Sequence, residues 1–159
     1  MATNGERRTE LAASAIVLDD RGRVLLVREN YGRQRYGLPG GSVEPGETPW
    51  AAAVREAEEE TTLRVRALHV VAVCSGPIGS RVWVVSFGVR CDIVGGQARL
   101  PGGDEIADVG WYQPDRWPEP RTVMGPLLLT AALRGDCGSC IDAPRPGQEP
   151  TGSIWPPDD

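Results

Sequence analysis

Three glutamates within one turn set the chemistry this chain can perform. Glu56, Glu59 and Glu60 stand in the run REAEEE that begins at Arg55. At about 100° per residue in a helix they share one face, while Glu58 points away. Like charges that close repel unless a cation sits among them. Carboxylate oxygens are the donors that Mg²⁺ prefers. An acidic helix face is, by itself, most simply a solvated surface, so the residues leading into the run decide its meaning. They make a helix locally inevitable. Thr48 offers an N-cap oxygen and Pro49 takes the first helical position, where a missing N–H costs nothing. Ala51, Ala52, Ala53 and Ala57 are strong helix formers. Trp50, Val54, Ala57 and Thr61 recur at i, i+4, i+7 and i+11, which predicts the buried stripe.

Leu38-Pro39 and the pair Gly40-Gly41 precede the helix, and Glu47 stands just before its cap. Together with the acidic run, this stretch resembles the Nudix box, G-x5-E-x7-R-E-U-x-E-E-x-G-U, with U an apolar residue. Gly41, Glu47, Arg55, Glu56, Ala57, Glu59, Glu60 and Leu63 stand in register with it. Thr62 departs, occupying the place of the late glycine. That glycine lets a chain leave its helix in a left-handed conformation. The β-branched pair Thr61-Thr62 before a Val-rich segment instead predicts an exit at negative φ into extended backbone.

The resemblance implies hydrolysis of a diphosphate linkage in a nucleoside di- or triphosphate derivative, either ADP-ribose-like or an NTP or dNTP. It implies Mg²⁺ as cofactor, with Mn²⁺ as a substitute, held by Glu56, Glu59, Glu60 and the Gly40 carbonyl. Glu56 or Glu59 would take the proton of the attacking water, and the residues do not separate the two. The resemblance gives Arg55 and Glu47 the task of orienting those ligands. Read from spacing alone, Arg55 and Glu59 make an ordinary i,i+4 surface pair. Glu105, in the turn GGDEIAD, is where related proteins often place a further acidic group, and it also reads as an exposed loop glutamate. Tyr31, Arg33 and Arg35 suit base stacking and phosphate contact, or form only a polar loop. A binding or regulatory domain without catalysis is the alternative, because fold does not fix function. Loss of a box glutamate would favour it, and none is lost. Pro77 lies near where ADP-ribose-cleaving relatives carry a proline, but at a poorly matching spacing, and Gly76-Pro77 also reads as a turn.

Composition bounds the class. A chain of 159 residues with 40% apolar and 25% charged content supports one domain with a proper core. Its net charge of −5 excludes a general nucleic-acid or membrane binder, which would show a basic surface. The partner expected is a small nucleotide, and both a monomer and a homodimer stay open. With no apolar run long enough to span a bilayer and no apolar segment in MATNGERRTE, the expected location is cytoplasmic. Cys74 and Cys91 lie in apolar runs as small buried residues, and Cys137 and Cys140 form an isolated C-x-x-C. His69, the single histidine, sits in LHVVAV and reads as a core residue.

In order along the chain, residues 1–10 read as a flexible start, and residues 11–18 and 24–27 as strands joined by a turn at Asp19–Gly22. Residues 36–41 form a short strand into the Gly-Gly turn. After the helix come long strands over 64–75, ended by Gly76-Pro77, and over 81–94. A short strand at 106–112, a helical turn at 114–117 and a second helix at 122–133 complete the domain, and 135–159 reads as a Pro/Gly-rich tail. Periodicity gives mixed α/β. The resemblance sharpens this to a Nudix-like α/β/α sandwich with a mixed sheet over residues 11–134.

Overall fold

Alternation in the first strand assigns the two sides of the molecule. Ala13, Ala15 and Val17 of β1 (Arg8–Val17) turn toward one core, and Ile16 turns toward the other. The computed structural model describes residues 7–144 and 151–153. The remaining elements are β2 (Val24–Glu29), β3 (Tyr36–Gly37), β4 (Gly40–Ser42), α1 (Pro49–Thr61), β5 (Arg64–Ile78), β6 (Val82–Gly95), β7 (Ile106–Tyr112), α2 (Met124–Arg134), β8 (Ser139–Asp142) and β9 (Thr151–Ser153). The larger sheet runs β4-β1-β6-β5-β8-β9, and β3-β2-β7 form a smaller one. Strand β1 is parallel to β6 and antiparallel to β4, which makes the sheet mixed. Helix α1 packs its alanines on Val65, Val89 and Cys91, while α2 sets Leu128 and Leu129 against Val71, Ala72 and Cys74. Helices on both sides of a mixed sheet give the α/β/α architecture. Among the described residues no helix is long and apolar enough to cross a membrane.

Helix α1 starts as its letters dictate. Thr48 is extended, and its Oγ1 accepts from the Ala51 N–H at 3.1 Å. The buried stripe, however, is Ala52, Ala53, Ala57 and Thr61, and Trp50 is exposed. Methyl-sized side chains let the helix lie close to β1 and β5, a spacing an indole would hold open. The exit also differs from expectation. Thr62 has φ +61°, so the chain does leave in the left-handed region. Three contacts hold it there: the Thr62 N–H donates to the Glu58 carbonyl at 2.9 Å, Thr62 Oγ1 donates to the Gln97 carbonyl at 2.8 Å, and the Arg99 N–H donates to the Thr61 carbonyl at 2.8 Å. The segment after β6 thus supplies what a glycine would have made unnecessary.

Four further expectations are corrected. Strand β1 begins at Arg8, pairing with Val82. Strand β5 continues through Gly76-Pro77, which pair with Val84 and Trp83. A Cβ at Gly76 would lie 2.5 Å from the Ala143 methyl, so this glycine serves close packing and not a turn. Residues beyond Arg134 are partly structural: β8 pairs parallel to β5, and Ile141 and Ala143 are buried in the α2-side core. His69 is exposed, because a register shift between Ala67 and His69 turns it out of the core. Residues 114–117 hold one turn, closed from the Arg116 N–H to the Gln113 carbonyl, and the chain then buries Trp117. Cys74 and Cys91 are buried, while Cys137 and Cys140 are exposed free thiols.

Candidate active site

The box folds around one guanidinium. Arg55 Nε and Nη2 grip both oxygens of Glu47, at 3.1 and 2.7 Å. Nη1 donates to Glu56 Oε1 at 2.9 Å and to Glu59 Oε2 at 3.2 Å, and Nη2 also reaches the Ser42 carbonyl at 3.1 Å. This is far more than an isolated i,i+4 pair. The Arg55 hydrogen bonds hold the Glu47 carboxyl below its usual range, and Glu47 in turn holds Arg55 firmly protonated. Glu47 Oε1 also accepts from the Glu44 N–H at 2.8 Å, tying the loop before α1 to the helix. A bidentate pair of this kind fixes orientation as well as charge.

The three glutamates of the face are not equivalent. Glu59 is largely exposed, with 58% of its side-chain surface open. Glu56 is half-buried against the Gly-Gly turn, where a Cβ on Gly41 would stand 2.5 Å from Glu56 Oε1. Gly40 is equally confined, since a Cβ there would run into the Ala13 carbonyl. Glu60 is the innermost, and its Oε2 accepts the Gly40 N–H at 3.0 Å. Burial pushes its carboxyl up from 4.5 to about 8; the Gly40 N–H opposes this, and the charges of Glu56, Glu105 and Glu29 add to it. Burial likewise raises Glu56, with Arg55 opposing and Glu59 and Glu105 adding.

Glu59 and Glu60 line a cleft of about 260 Å³ whose other wall is Pro101–Ile106, including Glu105. Glu105 is therefore brought to the cluster by the turn before β7. Tyr31 is exposed on the loop after β2, and its phenol is raised by partial desolvation and then by the charges of Glu29, Glu60 and Glu105. Arg35 Nε lies 3.7 Å from Glu29 Oε2. Arg33 is exposed, with no ion pair or hydrogen bond among the described residues. Glu29 itself went unread in the sequence. It sits at the end of a strand with no motif around it, and only the pairing of β2 with β7 brings its charge within reach of Glu60.

The donors suit a hard divalent cation. Glu60 sits buried near the charges of Glu56, Glu105 and Glu29 with the Gly40 N–H as its hydrogen-bond partner, and the side-chain donors around it are all oxygens. Among the described residues no three acidic, histidine or cysteine groups form a closed cage. Arg55 draws Glu56 and Glu59 toward itself, and Mg²⁺ commonly takes only one or two carboxylates and keeps its waters.

The family model described as NUDIX domain matches residues 8–129. The chain belongs to the Nudix family. It is 37% identical over 106 residues, 67% of this chain and 68% of the relative, to a Bacillus subtilis (strain 168) protein that carries the provisional name 8-oxo-dGTP diphosphatase. It is 32% identical over 111 residues to an ADP-ribose pyrophosphatase of Methanocaldococcus jannaschii, covering 69% of this chain and 64% of that one. The crystal structure of an ADP-ribose pyrophosphatase from Streptococcus suis 89-1591 superposes with a TM-score of 0.64 at 26% identity, covering 82% of this chain and 96% of that one. As a Nudix hydrolase, the protein acts on phosphorus-containing acid anhydrides.

Proposed function

We propose that this Nudix hydrolase is a Mg²⁺-dependent pyrophosphohydrolase that cleaves the diphosphate linkage of a nucleoside di- or triphosphate derivative. The observation that carries the reading is the Arg55 hub, which orders Glu47, Glu56 and Glu59 around the buried Glu60. Glu56, Glu59, Glu60 and the Gly40 backbone would hold the metal. When bound, Mg²⁺ screens the diphosphate charge, polarises the P–O bonds and lowers the pKa of a water. The chain's own residues do the rest. Glu56, held by the Arg55 guanidinium against the Gly40-Gly41 turn, takes the proton of the attacking water. The water oxygen bonds to one phosphorus, and the bridging P–O bond breaks toward the other phosphate. Arg55 keeps Glu56 in one rotamer while this happens, and Glu47 keeps Arg55 in place. Glu105 adds negative charge to the opposite wall, and Tyr31, Arg33 and Arg35 offer an aromatic face and guanidinium groups for base and phosphate.

The names of the similar proteins point to two substrate classes, an oxidised dNTP and ADP-ribose. Incubating the purified chain with 8-oxo-dGTP, ADP-ribose and the common NTPs, with and without Mg²⁺, and resolving products by ion-exchange chromatography, tests the proposal. Metal-dependent release of a nucleoside monophosphate from one of them is expected. Binding without turnover across the panel would favour a regulatory domain instead.

A further inference from the structure

Asn30 follows β2 and lies outside the box. Both its amide donors end on one turn. Its backbone N–H donates to the Glu105 carbonyl at 2.9 Å, and its Nδ2 donates to the Asp104 carbonyl at 3.0 Å. These acceptors are consecutive, so the two bonds fix both the position and the rotation of the intervening peptide. Little else packs around that turn. Gly102 and Gly103 have open space where a Cβ would stand, and Gly103 takes φ +106°. The ladder between β2 and β7 shifts register between Arg28 and Glu29, next to Asn30. An exposed, glycine-rich segment of this kind samples many conformations unless tied down.

We propose that Asn30 is a positioning residue: its side-chain amide clamps the Asp104–Glu105 turn and so holds the Glu105 carboxylate at the cleft that Glu60 also lines. The same two bonds join the loop carrying Tyr31 to the 101–106 wall of the cleft. The inference rests on the proposed hydrolysis only in giving Glu105 a part in turnover; the clamp itself does not depend on it.

The test uses the full chain as Asn30→Ala, Asn30→Asp, Glu105→Gln and the Asn30→Ala/Glu105→Gln double variant. Backbone ¹⁵N relaxation on the metal-free protein should show lower order parameters at residues 102–106 in both Asn30 variants, with melting temperatures within about 2 °C of the parent. Asp matches Asn in shape but lacks the donor, so its behaving like Ala identifies the amide as the active part. In kinetics, Asn30→Ala should lower kcat roughly fivefold, the worth of one hydrogen bond, with KM within about twofold. In the Glu105→Gln background it should add no further loss, because both changes disable the same carboxylate. Unchanged order parameters at residues 102–106 would overturn the clamp. Multiplying losses in the double variant, or full activity of Glu105→Gln, would overturn the link to Glu105. Absence of any turnover in the parent would strike the functional reading alone, since the relaxation result still decides the clamp.

Discussion

Replacing Glu60 with Gln keeps the side chain's size and its acceptor for the Gly40 N–H, and removes only the charge. In the metal-free protein this should stabilise the fold. Burial raises the Glu60 carboxyl from 4.5 to about 8, so the folded state binds its proton more tightly than the unfolded chain does. Stability from this group is therefore complete below about pH 4.5 and falls as pH rises toward 8. At about 1.4 kcal/mol per pH unit the full loss is roughly 5 kcal/mol, and relaxation with water entry reduces it to about 2–4 kcal/mol. For a domain of this size that corresponds to a melting temperature some ~5–12 °C higher for Glu60→Gln at pH 8 without metal. At pH 4.5 parent and variant should coincide. Scanning calorimetry in EDTA at both pH values measures this, and repeating it in Mg²⁺ should raise the parent far more than the variant. A variant that melts below the parent at pH 8 in EDTA would refute the view of Glu60 as a strained, cation-seeking carboxylate.

Arg55→Lys keeps the charge but cannot form the two-pronged grip on Glu47 while also reaching Glu56 and Glu59, so kcat should drop roughly 100-fold with little change in melting temperature; steady-state kinetics on the preferred substrate read it out, and near-parental turnover would contradict the hub. A chain ending at Arg134 loses the burial of Ile141 and Ala143 and the pairing of β8 with β5. It should be destabilised by about 3 kcal/mol or more, measured by urea unfolding. Thr62→Gly relieves a β-branched residue at φ +61° but forfeits the bond to Gln97. Strain of about 1–2 kcal/mol outweighs the exposed bond and added chain entropy, so a gain of up to ~1 kcal/mol is expected, and a lower melting temperature would show the opposite balance.

What could be read in advance was local. Thr48 and Pro49 start α1 because capping uses neighbours in sequence, and Glu56, Glu59 and Glu60 share a face because helical spacing alone decides it. Distant partners decided the rest. The sign of φ at Thr62 depends on Gln97 and Arg99, which lie across β5 and β6 in the chain. Trp50 reads as apolar and therefore buried, but the sheet admits only small side chains beneath α1. β8 is four residues without alternation, visible only because the edge of β5 is there to receive it. Glu29 and Glu105 join the acidic cluster through the pairing of β2 with β7, and no spacing in the sequence encodes that meeting.

The proposed hydrolysis depends on the carboxylates of α1. Measuring kcat of Glu56→Gln against the parent at saturating Mg²⁺, on whichever diphosphate substrate the parent turns over best, tests it most directly. Glu56→Gln should fold normally by circular dichroism and lose at least about 100-fold in kcat, as expected for removal of a general base. A normally folded Glu56→Gln with near-parental kcat would contradict the account.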